Sequence, residues 1–272
     1  MLFAREVYVP MTRTFRARGG LLCLAVVLTV AVLVAVDHPP MVAPSRDVPR
    51  ALRPASVATQ TIVALGDSVA YGAHDVVHGG WVTRLDRLLA VAYPRDHPRL
   101  RNLAHNGGNT ADLIADVRRL RRGTRPALVM IAYGLNDFDE RIPATILAAH
   151  LRTALRLLQT WPRPPIVTFM GMPPITALSP ARLRVERAYT DVIRRIAAAA
   201  HAGYLDEFDL WLALGDAHLH SLRYDTEHPN RFGYAFTAAT VAAFLEGSYL
   251  DAQGRVQSPR TPPTCAASVC GA

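Results

Sequence analysis

Five short segments carry the apolar patterning of strands: 61–65, 100–104, 127–133, 166–171 and 203–207. The third and fourth are nearly continuous apolar runs, as expected of strands covered on both faces. Between the segments the period changes to that of helices. Val185, Ala188, Tyr189, Val192, Ile193, Ile196, Ala197 and Ala200 repeat at i, i+3, i+4 and i+7. Ser179 and Pro180 stand before that stripe as an N-cap and a first-turn proline. Leu147, Leu151, Ala154, Leu155 and Leu158 make a second stripe after Pro143, and Leu113, Val117 and Leu120 a third, capped by Asn109 or Thr110. A fourth helix is predicted from about Trp81 to Val91. A last one follows Asn230 with Tyr234, Phe236, Val241, Phe244 and Leu245. Strand and helix alternate without internal repeat, which predicts a three-layer α/β/α sandwich on a parallel five-stranded sheet over residues 61–250.

The flanks differ in character. Residues 1–20 are basic, with Arg13, Arg16 and Arg18, and residues 21–36 form an uncharged apolar run. A positive flank before such a run is the pattern of an export signal or signal anchor, with the arginines on the cytoplasmic side. The run is longer than an ordinary signal core and slightly short of a comfortable span of about 20 residues. Ala35 makes a poor cleavage site because Leu33 falls at −3. The expectation is a domain outside the cytoplasm, either anchored or secreted after cleavage. Residues 37–60 hold five prolines and read as an extended linker, and residues 251–272 as a disordered tail.

Charge adds little. The formal net charge is +8, with no lysine at all, and half of the excess lies in residues 1–53. The remainder is too mild to indicate nucleic acid. Of three cysteines, Cys23 is in the apolar run, and Cys265 and Cys270 can pair in an oxidising compartment. No zinc-ligand cysteine spacing occurs.

The chemistry-bearing residues collect where the predicted strands end. Gly66-Asp67-Ser68 follows the first strand, and Asn102 through Gly107-Gly108 to Thr110 follows the second. Gly134-Leu-Asn136-Asp137 follows the third, and Asp225-Thr-Glu-His228 lies past the fifth. A parallel sheet brings such ends to one edge. Each residue type suits acyl transfer. Ser68 is a nucleophile once a base takes its proton. His228 titrates near neutrality and can be that base. Asp225, three residues earlier, can reach the other imidazole nitrogen. The N–H of Ser68, that of Gly107 and the Asn136 amide can face an oxyanion.

These four blocks together resemble those of the SGNH (GDSL-type) hydrolase superfamily, over about residues 61–246. Val69 stands where the family name has leucine. The resemblance implies a flavodoxin-like sheet and a serine esterase or acylhydrolase that uses no metal or other cofactor. Carried onto matching positions, it implies Ser68, Asp225 and His228 as the triad and Ser68, Gly107 and Asn136 as oxyanion donors. Gly108 is an adjacent alternative, and the spacing from Asn102 favours Gly107.

The expected substrate is a small-molecule or envelope-associated carboxylic ester. An acyltransferase acting on an envelope glycan or lipid, and a non-catalytic glycan- or lipid-binding module, are the rival readings. Other residues stay outside the main argument. His74 and His78 have i, i+4 spacing but no accompanying third ligand, and no metal is expected. His218 and His220 can line the mouth of the site or be ordinary loop residues. Asp67 and Asp137 are expected to bond turn backbone. Tyr71 and Trp81 can line an acyl pocket or pack in the core.

Overall fold

The computed structural model describes residues 60–75, 77–122, 125–176, 179–258 and 264–265. The basic region 1–20, the apolar run 21–36, nearly all of the linker and the pairing of Cys265 with Cys270 lie outside the described residues.

The chain runs β1 (Thr61–Gly66), α1 (Ser68–Tyr71), α2 (Gly80–Ala92), β2 (Arg99–Asn102), α3 (Thr110–Leu120) and β3 (Leu128–Ala132). It continues with α4 (Leu135–Asp139), α5 (Ala144–Gln159), β4 (Ile166–Met170), α6 (Pro180–Ala199) and β5 (Gly203–Leu205). The last elements are α7 (Glu207–Leu212), α8 (Asp216–Ser221), α9 (Arg231–Ser248) and β6 (Thr264–Cys265). The order across the sheet is β2-β1-β3-β4-β5-β6, and every pairing is parallel. The five predicted strands and their flavodoxin-like order are therefore present. Helices α2 and α9 pack together, and α3, α5 and α6 pack in a row, giving the two outer layers.

Local signals explain most boundaries. Asn109 caps α3 in a capping box with Asp112, Ser179 caps α6 before Pro180, and Asn230 caps α9. Leu128 to Ile131 of β3 are fully enclosed, which accounts for the unbroken apolar run. Strand β2 is the edge of the sheet opposite β6 and is largely exposed, so its sequence alternates arginine with leucine.

The segment after residue 250 departs from the expected disorder. Asp251 accepts the backbone N–H groups of Gln253 and Arg255, closing a turn. Gly254, at φ +79°, packs on Tyr93 where a side chain would clash. Leu250 and Val256 bridge antiparallel, and the Gln60 side chain bonds both the N–H and C=O of Val256. A polar composition hid the Gln60 and Tyr93 contacts because those partners lie far back along the chain. Farther on, Thr264–Cys265 adds a short parallel strand beyond β5.

Candidate active site

The site forms at the carboxyl ends of β1 and β3, where the direction of strand progression reverses. Ligands of such sheets bind at this crevice. Gly66 ends β1 against β3: a Cβ there would lie 2.6 Å from the Ala70 Cβ and 2.7 Å from the Ala132 carbonyl oxygen. Only glycine lets the chain turn so close to its neighbour. Asp67 then caps α1 by accepting the Val69 N–H at 2.9 Å. Ser68 is the first residue of that turn and is itself buried.

Across 160 residues of sequence, His228 Nε2 lies 2.9 Å from Ser68 Oγ. On the other side of the ring, Nδ1–H donates to Asp225 Oδ2 at 2.9 Å. The Asp225 Oδ1 also accepts the backbone N–H of His228 at 2.6 Å and of Glu227 at 2.8 Å. Burial acts to raise the Asp225 pKa, but these N–H groups and the imidazole outweigh it and hold the carboxyl below its usual range. The carboxylate thus holds Nδ1, and Nε2 is the ring nitrogen that faces the serine.

The other residues expected to face an oxyanion follow β2 and β3 at the same edge of the sheet. The Asn136 amide donates to the Gly108 carbonyl at 2.8 Å. A carboxamide has two N–H bonds, so one fixes the side chain while the other stays available. Gly107 adopts φ +71°, with open space where a Cβ would stand. Gly108 instead directs its N–H back to the His105 carbonyl. That difference favours Gly107 over Gly108 as the available donor. Asn102 holds the base of this loop: its amide donates to the Ala70 carbonyl at 2.8 Å and its oxygen accepts the Ala104 N–H. Asp137 accepts both the N–H and hydroxyl of Thr110, joining the second and third blocks. Asp67 and Asp137 therefore serve turn and loop backbone.

The other sequence candidates separate. Trp81 is in the core, whereas Tyr71 is half exposed. His218 and His220 are exposed on α8, with the His218 ring against the Leu214 carbonyl. His74 stands beside the triad, 3.7 Å from Asp225, and His78 does not join it.

Arg223 was not foreseen. It is buried, lies over the Trp211 ring and donates to the carbonyls of Glu227 and Pro174. It thereby clamps the Asp225–His228 loop to the segment following β4. Thr176 reinforces the clamp, its N–H and hydroxyl both meeting the Thr226 carbonyl. Burial lowers the Arg223 pKa to about 10, and Glu186, itself pushed up to about 8 by burial, acts against that shift more than any other acidic group. No periodicity marks such an arginine; only its position two residues before Asp225 is a hint. Arg223→Lys keeps charge but loses the fork. It is expected to lower kcat roughly tenfold to a hundredfold, since small misplacements of reacting groups have that cost. Steady-state kinetics beside a thermal melt of the folded variant checks it.

Glu207 lies beneath the site. It is fully buried, accepts from Trp211, Thr237 and Thr240, and lines a small internal cavity with Asp67 and Trp81. Burial pushes Glu207 up from 4.5 to about 7, and Asp67 likewise to about 7. A carboxyl held neutral binds its proton more tightly folded than unfolded. Unfolding then releases the proton, so stability falls as pH rises from about 4.5 to 7. Glu207→Gln is expected to flatten that decline by on the order of 3 kcal/mol, measured by denaturant unfolding across the window.

Comparison with known proteins places the chain in a family and a fold. Residues 64–236 match the GDSL-like lipase/acylhydrolase family. No curated protein matches the chain in sequence. Among solved structures, a lipolytic protein of the G-D-S-L family from Veillonella parvula DSM 2008 is 20% identical, with a TM-score of 0.57 over 67% of this chain and 96% of that one. TesA is 22% identical, with a TM-score of 0.58 over 69% of this chain and 99% of its own. The esterase EstA from Pseudoalteromonas sp., solved with monoethylphosphonate as inhibitor, is 21% identical, with a TM-score of 0.54 over 67% and 94%. At these identities the likeness is one of fold, and the family match carries the assignment. The chain belongs to the GDSL-like lipase/acylhydrolase family and is a GDSL-type esterase or acylhydrolase.

Proposed function

We propose that the chain is an exported serine esterase that hydrolyses a carboxylic ester through an acyl-enzyme on Ser68. The observation that carries this reading is the 2.9 Å contact between His228 Nε2 and Ser68 Oγ, backed by Asp225 on Nδ1. His228 takes the hydroxyl proton as the Ser68 oxygen attacks the carbonyl carbon, then returns it to the leaving alcohol. Asp225 holds the tautomer and offsets the charge of the imidazolium. The N–H groups of Ser68 and Gly107 and the free Asn136 N–H face the oxyanion. Water, activated by the same imidazole, attacks the acyl carbon and releases Ser68.

Export rests on residues 1–36, whose basic flank and apolar run are those of a signal or anchor. Among the described residues no helix is long and apolar enough to cross a membrane.

Fluorophosphonate labelling of the wild type, with Ser68→Ala as control, tests the nucleophile. Adduct on Ser68 alone supports the reading; an unlabelled wild type favours a binding module. A nitrophenyl ester series is expected to peak at short acyl chains, because the sequence carries no long apolar lid insertion. A peak beyond about eight carbons would point to a deep apolar pocket instead.

A further inference from the structure

We propose that His74, Asp225 and His228 form a divalent transition-metal site of the zinc class, whose occupation switches Ser68 off. One ligand atom from each residue lies within 4.8 Å of the others. Asp225 Oδ2 is the shared neighbour, 2.9 Å from His228 Nδ1 and 3.7 Å from His74 Nε2. Two imidazoles and one carboxylate are a ligand set that zinc accepts, with a water in the fourth position. Bond lengths of about 2.0–2.2 Å place tetrahedral ligand atoms roughly 3.3–3.6 Å apart. The His74–Asp225 distance of 3.7 Å lies just outside that range, the Asp225–His228 pair has to open by about half an ångström, and the two imidazole nitrogens, within 4.8 Å of each other, complete the set.

The hydrolytic scheme leaves His74 without a task. His228 has both ring nitrogens engaged, and Asp225 already receives two backbone N–H groups besides the imidazole. Even so, His74 is held in an unfavourable backbone conformation, at φ +64°. Its ring stacks on Tyr224 with centroids 4.1 Å apart and meets His228 edge-on at 5.0 Å. A non-glycine residue in this region is uncommon and persists where its surroundings over-determine it. The ring is thus aimed rather than adrift. The site is also open to a hydrated cation, with the His74 and Asp225 side chains 40% and 41% exposed.

The consequence for turnover follows from the tautomer. A cation on His228 Nδ1 uses the lone pair there, so the ring proton resides on Nε2 and points at Ser68 Oγ. Nε2 then donates and cannot accept, and Ser68 keeps its hydroxyl proton. Asp225 turns its charge to the cation. This inhibitory effect rests on the triad reading above; binding of the cation does not.

The test titrates zinc into the full chain against a chromogenic chelator. Ser68→Ala is compared with Ser68→Ala/His74→Asn, since asparagine tolerates positive φ, and with Ser68→Ala/Asp225→Asn, which removes a different ligand. Zinc binding at least about tenfold weaker in both double variants is expected. In the wild type, zinc is expected to suppress nitrophenyl acetate turnover, with recovery on adding EDTA and at least about tenfold more zinc needed in His74→Asn. Equal zinc affinity in parent and folded double variants overturns the site, as does turnover that zinc inhibits equally in wild type and His74→Asn. His74-dependent zinc binding by a wild type that fluorophosphonate fails to label supports the site while removing the esterase reading.

Discussion

Ser68→Ala is expected to lower kcat by about 10⁴-fold or more while leaving the fold intact. Triad members act as a unit, so removing the nucleophile removes what the base was poised to do. The oxyanion donors and substrate binding then supply only the residual rate. The side chain lost is small, and its hydroxyl contacts only His228 among the described residues. The melting temperature should therefore stay close to that of the wild type. Burst kinetics with a nitrophenyl ester checks the point directly: the wild type accumulates acyl-enzyme and the variant shows neither burst nor steady turnover. A variant that retained turnover within tenfold of wild type would remove Ser68 from the mechanism.

Asn136→Ala is expected to lower kcat by about 10²–10³ with KM little changed. A donor that meets charge only in the transition state contributes to that state and not to substrate binding. The side chain has a second task, because it donates to the Gly108 carbonyl at 2.8 Å. Alanine therefore also frees one end of the Gly107–Gly108 loop. Asn136→Asp separates the two effects: it preserves shape, has no N–H to give and adds negative charge facing the oxyanion. It should be at least as slow as alanine. A fall in kcat for alanine that is matched by a rise in KM would instead assign Asn136 to ground-state binding.

Much of the site was readable before any coordinates, and the reason is local. Asp67 and Ser68 make a strand-ending turn in which Asp67 caps its own helix two residues on, a contact within a few positions of the chain. Asp225 and His228 meet across three residues, so a single turn suffices to pair them. The caps Asn109, Ser179 and Asn230 are likewise local. Gly107 is expected as a donor from its spacing to Asn102, and Asn102 pins the base of that loop to Ala70.

What escaped the sequence depends on partners far away along the chain. Arg223 looks like any of the surface arginines until Pro174, Trp211 and Glu186 close around it. His74 paired by spacing with His78, yet its fellows in space are Tyr224, Asp225 and His228, about 150 residues on. The segment after Leu250 carried turn residues in a polar setting and read as disorder, because nothing nearby announces Gln60 or Tyr93 as its partners.

Sequence alone thus determined the alternation of strands and helices, the order of the chemical blocks and the identity of the groups at each strand end. These follow from periodicity and turn chemistry, which act over a few residues. Tertiary structure alone decided that His228 reaches Ser68, that the Asn136 amide meets the Gly108 carbonyl, and that Arg223 and His74 stand behind and beside Asp225 and His228. Those facts are set by how β1, β3 and the loop before α9 converge at one sheet edge, and convergence in space leaves no period in the chain.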